Sequence, residues 1–445
     1  MVSTRRTAEV SHWHLMPVDI LTTVFALLPE KDRCQAGLVC KAWNAVVNTP
    51  HLWRHHTFSF RGTNGKEAWR ACKFVESALG AHVLHMVLEI GMPVVLNAKT
   101  ISRSVEAFLS DRATLSLRLK SFQCTGLEYF QSPVYRIARH RNRMVRALCT
   151  FLRRQKWLEE IDLACCQMGR PDGTRVLKAI AYKGRRSVKN PQSPLTYLEL
   201  RHFFMQEANI LDCPLFPVEM RRFDSLRHLC LNHSYVNDDV LDNLTNPSNT
   251  LRVLQLQVEV SQYIHLIPLS TAIPSKSVLT SAGWRSAAGR CPLLRVFITM
   301  KGRFRANDFT RVLVPGIPLA ELRVTSVVAS LFFGLEDFLP HLRVLMDLMN
   351  QHYSGYLTTF HINWSEMGAI WPYEADLVRL FRQCRFLSDV ILTMRVPVDT
   401  LLNIHKAVVA EKRGRMKLQI AGLEPPLMEN FCLNFPYITV KHLGD

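Results

Sequence analysis

The sequence lacks the spacings that announce metal, disulfide or membrane chemistry. Its twelve cysteines contain no Cys-x-x-Cys pair, and two of them, Cys165 and Cys166, are adjacent. Neighbouring cysteines rarely bridge or chelate together, so these thiols read as reduced and used as small core residues. That disfavours a disulfide framework and a zinc site. No run of 18 apolar residues occurs, which excludes a helical span on this pattern. The opening MVSTRRTAEVSHWH has no apolar h-region, so no secretory signal is expected. Walker-type GxxxxGK[ST], GxGxxG, HExxH and GxSxG patterns are all missing. The expectation is an intracellular protein, cytoplasmic and/or nuclear, with no catalytic residue, cofactor, metal or membrane partner. Acidic residues are scarce relative to basic ones, 37 against 55, for a net charge of +18. The excess calls for an acidic partner without choosing among nucleic acid, an anionic membrane and an acidic protein surface.

Apolar residues make up 48% of the 445, enough for a sizeable folded core. From Met16, the stretch MPVDILTTVFALLP spaces Ile20, Leu21, Val24, Phe25 and Leu28 on one helical face. Pro17 suits the first turn and Asp19 complements the helix dipole, while Pro29 stops the helix. Two more short helices follow, with Ala36, Val39, Cys40 and Trp43 facing one way, then Val46 and Val47, and Pro50 ends the run. Three helices in about forty residues bury too little surface to stand alone, so part of their apolar surface needs another cover. After Trp53 the spacing turns strand-like. His55 and His56 read as a surface pair, and Cys40 as a packing residue rather than a nucleophile.

Beyond about Gly80 a phrase recurs, Leu-x-x-apolar-x-apolar. It begins at Leu119, Leu158, Leu195, Leu226, Leu251, Leu293, Leu319, Leu357 and Leu387, with 25 to 42 residues between starts. Weaker outer copies lie near Leu88 and Leu418. Each phrase reads as one short strand, its last two apolar residues on one face and its leading Leu anchoring the turn. Helical patterns fill the gaps: Asn237 can cap a helix whose Val240, Leu241 and Leu244 face inward. Strand and helix repeated predict an α/β solenoid of the leucine-rich-repeat kind, with repeats longer and less even than the usual 20–29. An ordinary α/β domain with buried parallel strands is the alternative. Connectors are expected at Arg61–Trp69, Tyr182–Pro194 and Ile267–Val278.

The N-terminal stretch resembles an F-box. The residues that carry this are Leu15, Pro17, Asp19, Ile20, Leu21, Val24, Phe25, Leu28, Asp32, Arg33, the run Leu38 to Trp43, and Pro50, Leu52, Trp53 and Arg54. The family's Leu-Pro opening is here Leu-Met-Pro, and Asp19 stands where Glu is usual. The remainder is similar to F-box-only proteins with degenerate leucine-rich repeats, the group of F-box only proteins 33 and 39, most of all over Trp284 to Val324. The resemblance implies a small all-α, three-helix F-box followed by a leucine-rich-repeat-like solenoid. It implies a substrate receptor of a Skp–cullin–F-box ubiquitin ligase. That receptor is non-catalytic, binds the Skp adaptor, and through it the cullin and RING subunits, and holds an unknown protein substrate. It implies an adaptor-binding set of Leu15, Pro17, Ile20, Leu21, Val24, Phe25, Leu28, Leu38, Cys40, Trp43, Leu52 and Trp53, several of them inserted into the adaptor, with packing of both Trp inside the F-box or against the first repeat as the alternative. The boundaries that follow are 14–60 for the F-box, 61–80 for a connector, 81–421 for the repeat domain and 422–445 for a C-terminal cap or tail.

The densest basic stretch runs from Tyr135 to Lys156. Ile137, Val145, Leu148, Phe151 and Leu152 can form its inner face, leaving Arg136, Arg139, Arg143, Arg146, Arg153 and Arg154 outside. That face is either solvated or a patch for an acidic or phosphorylated substrate segment, since Arg pairs bidentately with phosphate. A nucleic-acid surface is disfavoured, because basic and aromatic residues do not interleave. A basic scaffold without ligase function remains the alternative for the whole chain. Lys183 to Lys189 also reads as a nuclear import signal.

Overall fold

A computed structural model describes residues 16–94, 97–131, 138–183, 194–205, 209–247, 249–259, 278–302, 304–326, 335–364, 371–410, 416–420 and 438–442. Leu15, Arg136 and Ile137, most of the basic loop after Tyr182, the loop around Ile267 and residues 421–437 lie outside them. The described residues fall into two compact units, one ending at Asp162 and one beginning at Leu163.

The first unit opens with three helices, α1 (Val18–Leu27), α2 (Glu30–Ala36) and α3 (Lys41–Val47), and a 3-10 turn, Pro50–Trp53. The backbone then alternates between strand and helix. In order come β1 (His55–Phe60), α4 (Glu67–Glu76), β2 (His85–Ile90), α5 (Ala98–Ser110), α6 (Arg112–Ser116), β3 (Ser121–Thr125), α7 (Ala138–Arg154) and β4 (Glu160–Asp162). The four strands pair parallel in chain order, His55 beside His85 and His85 beside Ser121. Parallel neighbours need a crossover, and the helices supply it. One sheet face is covered: Phe58 and Phe60 pack on Phe108 of α5, ring centroids 4.6 and 5.3 Å apart, and Phe122 packs on Phe151 of α7. After β3 the chain turns at Gly126 with φ +86°, where a Cβ would fall 1.8 Å from the Ile90 carbonyl oxygen, so only glycine fits.

The second unit repeats the alternation. Its strands are β5 (Tyr197–Glu199), β6 (His228–Asn232), β7 (Val253–Glu259), β8 (Arg295–Lys301), β9 (Leu319–Ser326), β10 (Thr359–Trp364), β11 (Asp389–Leu392), β12 (Met416–Ile420) and β13 (Ile438–His442). All pair parallel with their sequence neighbours. The helices around and between them include α8 (Arg170–Lys183), α9 (Leu215–Met220), α10 (Asp238–Leu244), α11 (Ser281–Arg290), α12 (Ala306–Val312), α13 (Leu335–His352), α14 (Glu374–Gln383) and α15 (Val398–Ala410). Asn237 caps α10, its side-chain oxygen accepting from the Val240 N–H at 3.0 Å.

Each recurring phrase coincides with one strand from β3 to β11, and the outer copies are β2 and β12. The apolar residues of the phrases are buried, with one correction. Leu293 is 64% exposed, and its neighbour Leu294 is the buried anchor of β8. In β9 the leading Leu319 lies inside the strand, where the pairing with β8 shifts register at Val296 and Phe297. Burial alternates along β2, β3 and β8, so within each unit one face of these strands is covered and the other carries less buried, mostly polar residues, with Val87 and Phe297 among them. The stretch 61–80 contains α4. Among the described residues no helix is long and apolar enough to cross a membrane.

Candidate functional site

In the three-helix segment the apolar residues of α1 do not share one face. Leu21 and Phe25 point inward and are 2% exposed, with Leu28 packed against them. Ile20 is 51% exposed, Leu27 82%, and Pro17, Val18 and Val24 are also exposed. The cause is geometric: i and i+1 are about 100° apart on a helix of 3.6 residues per turn, so Ile20 and Leu21 cannot both face one core. The inward set joins Ala36, Val46, Val47, Leu52 and Trp53 in one cluster, with Phe25 edge-on to Trp43 at 5.2 Å.

Arg33 fastens this cluster. Its guanidinium donates to the Phe25 carbonyl at 3.1 Å, to the Leu28 carbonyl at 3.2 Å and to the Leu52 carbonyl, and lies 5.6 Å from the Trp53 ring. It therefore supplies a donor to the Leu28 carbonyl at the C-terminal end of α1 and a second one to the Phe25 carbonyl, which also accepts from the Leu28 N–H at 3.2 Å. Trp53 Nε1 donates to the Val47 carbonyl at 2.6 Å. Its ring packs on Phe74 of α4 at 5.5 Å, so the three-helix segment is completed by the strand-and-helix part of the same unit.

Leu21, Phe25, Leu52 and Trp53 are thus core residues, and a docked partner would not reach them without opening the cluster. Of the adaptor-facing set expected from the sequence, Pro17, Ile20, Val24 and Leu38 are exposed, while Leu28, Cys40 and Trp43 are half-buried. Cys40 and Val39 do not share a face with Ala36 and Trp43. Cys40 is the N-cap of α3, its sulfur accepting from the Trp43 N–H at 3.5 Å, and Val39 is exposed in the turn before it. Val18 and Leu27 are exposed apolar residues that the helical reading did not single out, and Val39, expected to face inward with Ala36, is exposed as well. The i, i+4, i+7 spacing of Ile20, Val24 and Leu27 was the available signal.

Strand alternation also splits the histidine pair. His55 is exposed and stacks on His85 at 4.1 Å, whereas His56 is 8% exposed and stacks on Phe74 at 4.0 Å. His56 Nδ1 lies 3.3 Å from Glu30 Oε2. Burial, aided by nearby Arg33, nevertheless pulls the His56 pKa down to about 4, and burial pushes the Glu30 carboxyl up. The imidazole is therefore neutral at neutral pH. A cavity of about 490 Å³ opens beside it, lined by Glu30, Arg33, His55, His85 and Glu160 among others.

The basic stretch is α7, with Val145, Leu148, Phe151 and Leu152 buried. Arg139, Arg146, Arg153 and Arg154 are exposed, and Arg143 is half-buried with Nε 3.1 Å from Glu106 Oε2 of α5. The structure adds Lys99 and Arg103, exposed on α5, to the same side of the unit. Their i, i+4 spacing was visible in the sequence, but the packing of α5 on α7 was not.

Residues 13–59 match the F-box-like family model. The chain is 36% identical over 55 residues to F-box/LRR-repeat protein 21 of Bos taurus, a stretch covering 12% of this chain and 13% of that protein. It is 40% identical over 45 residues to F-box/LRR-repeat protein 5 of Salmo salar, covering 10% and 6%. It is 28% identical over 61 residues to F-box only protein 48 of Homo sapiens, covering 14% and 39%. The chain thus carries an F-box-like segment, and the match spans a small part of each curated relative.

Proposed function

We propose that the protein is a non-catalytic substrate receptor of a Skp–cullin–F-box ubiquitin ligase. On this reading residues 14–60 dock on the Skp adaptor, residues 61–80 connect, residues 81–421 form a leucine-rich-repeat-like solenoid that selects the target, and 422–445 close it. The observation that carries the reading is the second apolar stripe of α1, Ile20, Val24 and Leu27, left exposed in a segment matching the F-box-like family. A soluble helix that leaves one stripe apolar after filling its own core is suited to a partner surface. Pro17, Leu38 and Val39 extend the apolar surface of the same segment. Leu21, Phe25, Leu52 and Trp53 shape it from beneath. The one-sided burial of β2, β3, β8 and β11 supports the solenoid, since an ordinary parallel sheet is covered on both faces, although β6 buries consecutive residues. Ligase action by such a receptor is proximity, holding a target lysine near a charged conjugating enzyme.

The test is capture of purified Skp adaptor by the full chain and by Ile20→Asp combined with Leu38→Asp. The exposed sites predict an unchanged unfolding midpoint and lost capture. Capture by the folded double variant equal to wild type would overturn the docking face. No capture even by wild type would remove the receptor reading and leave a basic scaffold, whose support is the row of exposed arginines on α7.

A further inference from the structure

The helix layer of the first unit gathers positive charge around one point. Lys99 and Arg103 stand on the first two turns of α5, and Arg139 and Arg143 on the first two turns of α7. Between them lies His140, whose Nδ1 is 3.1 Å from the hydroxyl of Ser102, a buried residue of α5. Ser102 meets His140 and, one turn on, Glu106 meets Arg143, so the two helices run in the same direction. Their N-terminal ends, each with partial positive charge, therefore lie side by side at this cluster. Burial lowers the His140 pKa, and Arg143, Arg139, Lys99 and Arg103 lower it further, which reports all four cations acting on one ring.

The cations are poorly compensated. Glu106 pairs with Arg143, while Lys99, Arg103 and Arg139 have no ion pair among the described residues. Folding does not require this arrangement: the buried residues of α7 are apolar ones, and like charges brought together repel. We propose that the surface formed by Lys99, Arg103, Arg139, His140 and Arg143 docks a phosphorylated segment of a partner protein. Charge complementarity and shape favour this occupant. A phosphate dianion has three oxygens that can accept from several guanidinium groups at once, and a convergent cluster matches one compact dianion. A nucleic-acid strand spreads its charge along a track and would engage Arg153 and Arg154 equally, about 15 Å farther along α7. The proposal does not depend on adaptor docking and is tested without the adaptor.

The probe is a short fluorescent peptide carrying two phosphoserines, measured by anisotropy against the full-length protein beside its unphosphorylated twin and a single-stranded oligonucleotide. The expected result is binding of the phosphopeptide over its twin. Arg103→Ala with Arg139→Ala should weaken it about tenfold or more, as charge-assisted bonds are lost. Arg153→Ala with Arg154→Ala should change it little. Both pairs are exposed, and equal unfolding midpoints would show that neither variant is misfolded. Arg103→Lys with Arg139→Lys should recover binding only in part, because lysine keeps the charge and loses the fork. Equal affinity for phosphorylated and unphosphorylated peptide would overturn the proposal, as would indifference to the Arg103 and Arg139 substitutions. Tighter oligonucleotide binding with equal loss from both pairs would overturn it in favour of a nucleic-acid track.

Discussion

Helices α1 and α7 belong to the same unit and differ in what they turn outward. Each buries an apolar stripe, Leu21 and Phe25 in one, Val145, Leu148, Phe151 and Leu152 in the other. The outward side of α1 carries a second apolar stripe, Ile20, Val24 and Leu27, beside exposed Asp19 and Thr23, and that of α7 carries arginines. The inward stripes serve the fold and resemble each other because both satisfy the same demand, removal of apolar surface from water. The outward sides are not needed for that, and their contrast separates two uses of the surface: an apolar contact at α1 and an electrostatic one at α7.

The sharpest way to break this contrast is to attack what the two helices share. Phe25→Ala and Phe151→Ala should each lower stability by about 3–5 kcal/mol, since both rings are fully enclosed. Chemical denaturation would read this, and a small loss at either would mean that helix is not anchored as described. Acid comes next. His56 and His233 both titrate near pH 4 in the folded protein, His233 buried with Arg311 adding to the effect. The unfolded chain binds their protons near pH 6.5, so the stability these neutral rings provide is complete above that value. It is lost as pH falls from about 6.5 to about 4, by up to about 1.4 kcal/mol per unit for each histidine. Denaturation at stepped pH checks the sign, and His56→Phe should flatten the slope. Arg33→Ala should cost about 1–3 kcal/mol, because the carbonyls of Leu28 and Leu52 lose the guanidinium that donates to them, while that of Phe25 keeps the Leu28 N–H. The smallest effects on stability belong to the outward sides: Ile20→Asp and Arg146→Ala should each stay within about 0.5 kcal/mol. A large loss at Ile20 would mean that its stripe is covered within the chain.

Much of the strand pattern was legible along the chain. A two-residue period needs no tertiary information once an anchoring leucine marks the start, and Leu229 and Leu231 or Val390 and Leu392 were placed inward on that basis alone. Where two leucines adjoin, as at Leu293 and Leu294, the period could not choose, and packing selected the second. Strand β13 lay in a stretch read as a cap or tail, with no leucine-led phrase to announce it. In the candidate site the residues were legible and their division was not. The list from Pro17 to Trp53 mixed those that build the segment with those that show on its surface, because both are apolar.

The order of residues alone determined the alternation of strand and helix, the three short N-terminal helices between prolines and the basic side of α7. These follow from local periodicity and steric limits on the backbone. Tertiary structure decided which apolar stripe of α1 is core, that His56 is buried while His55 is not, and that Lys99 and Arg103 join the arginines of α7. Each outcome depends on a neighbour distant in sequence, Trp53 and Arg33 for α1, Phe74 for His56 and the packing of α5 on α7 for the cations. Burial and electrostatic fields are set by what is close in space, and no window along the chain contains that information.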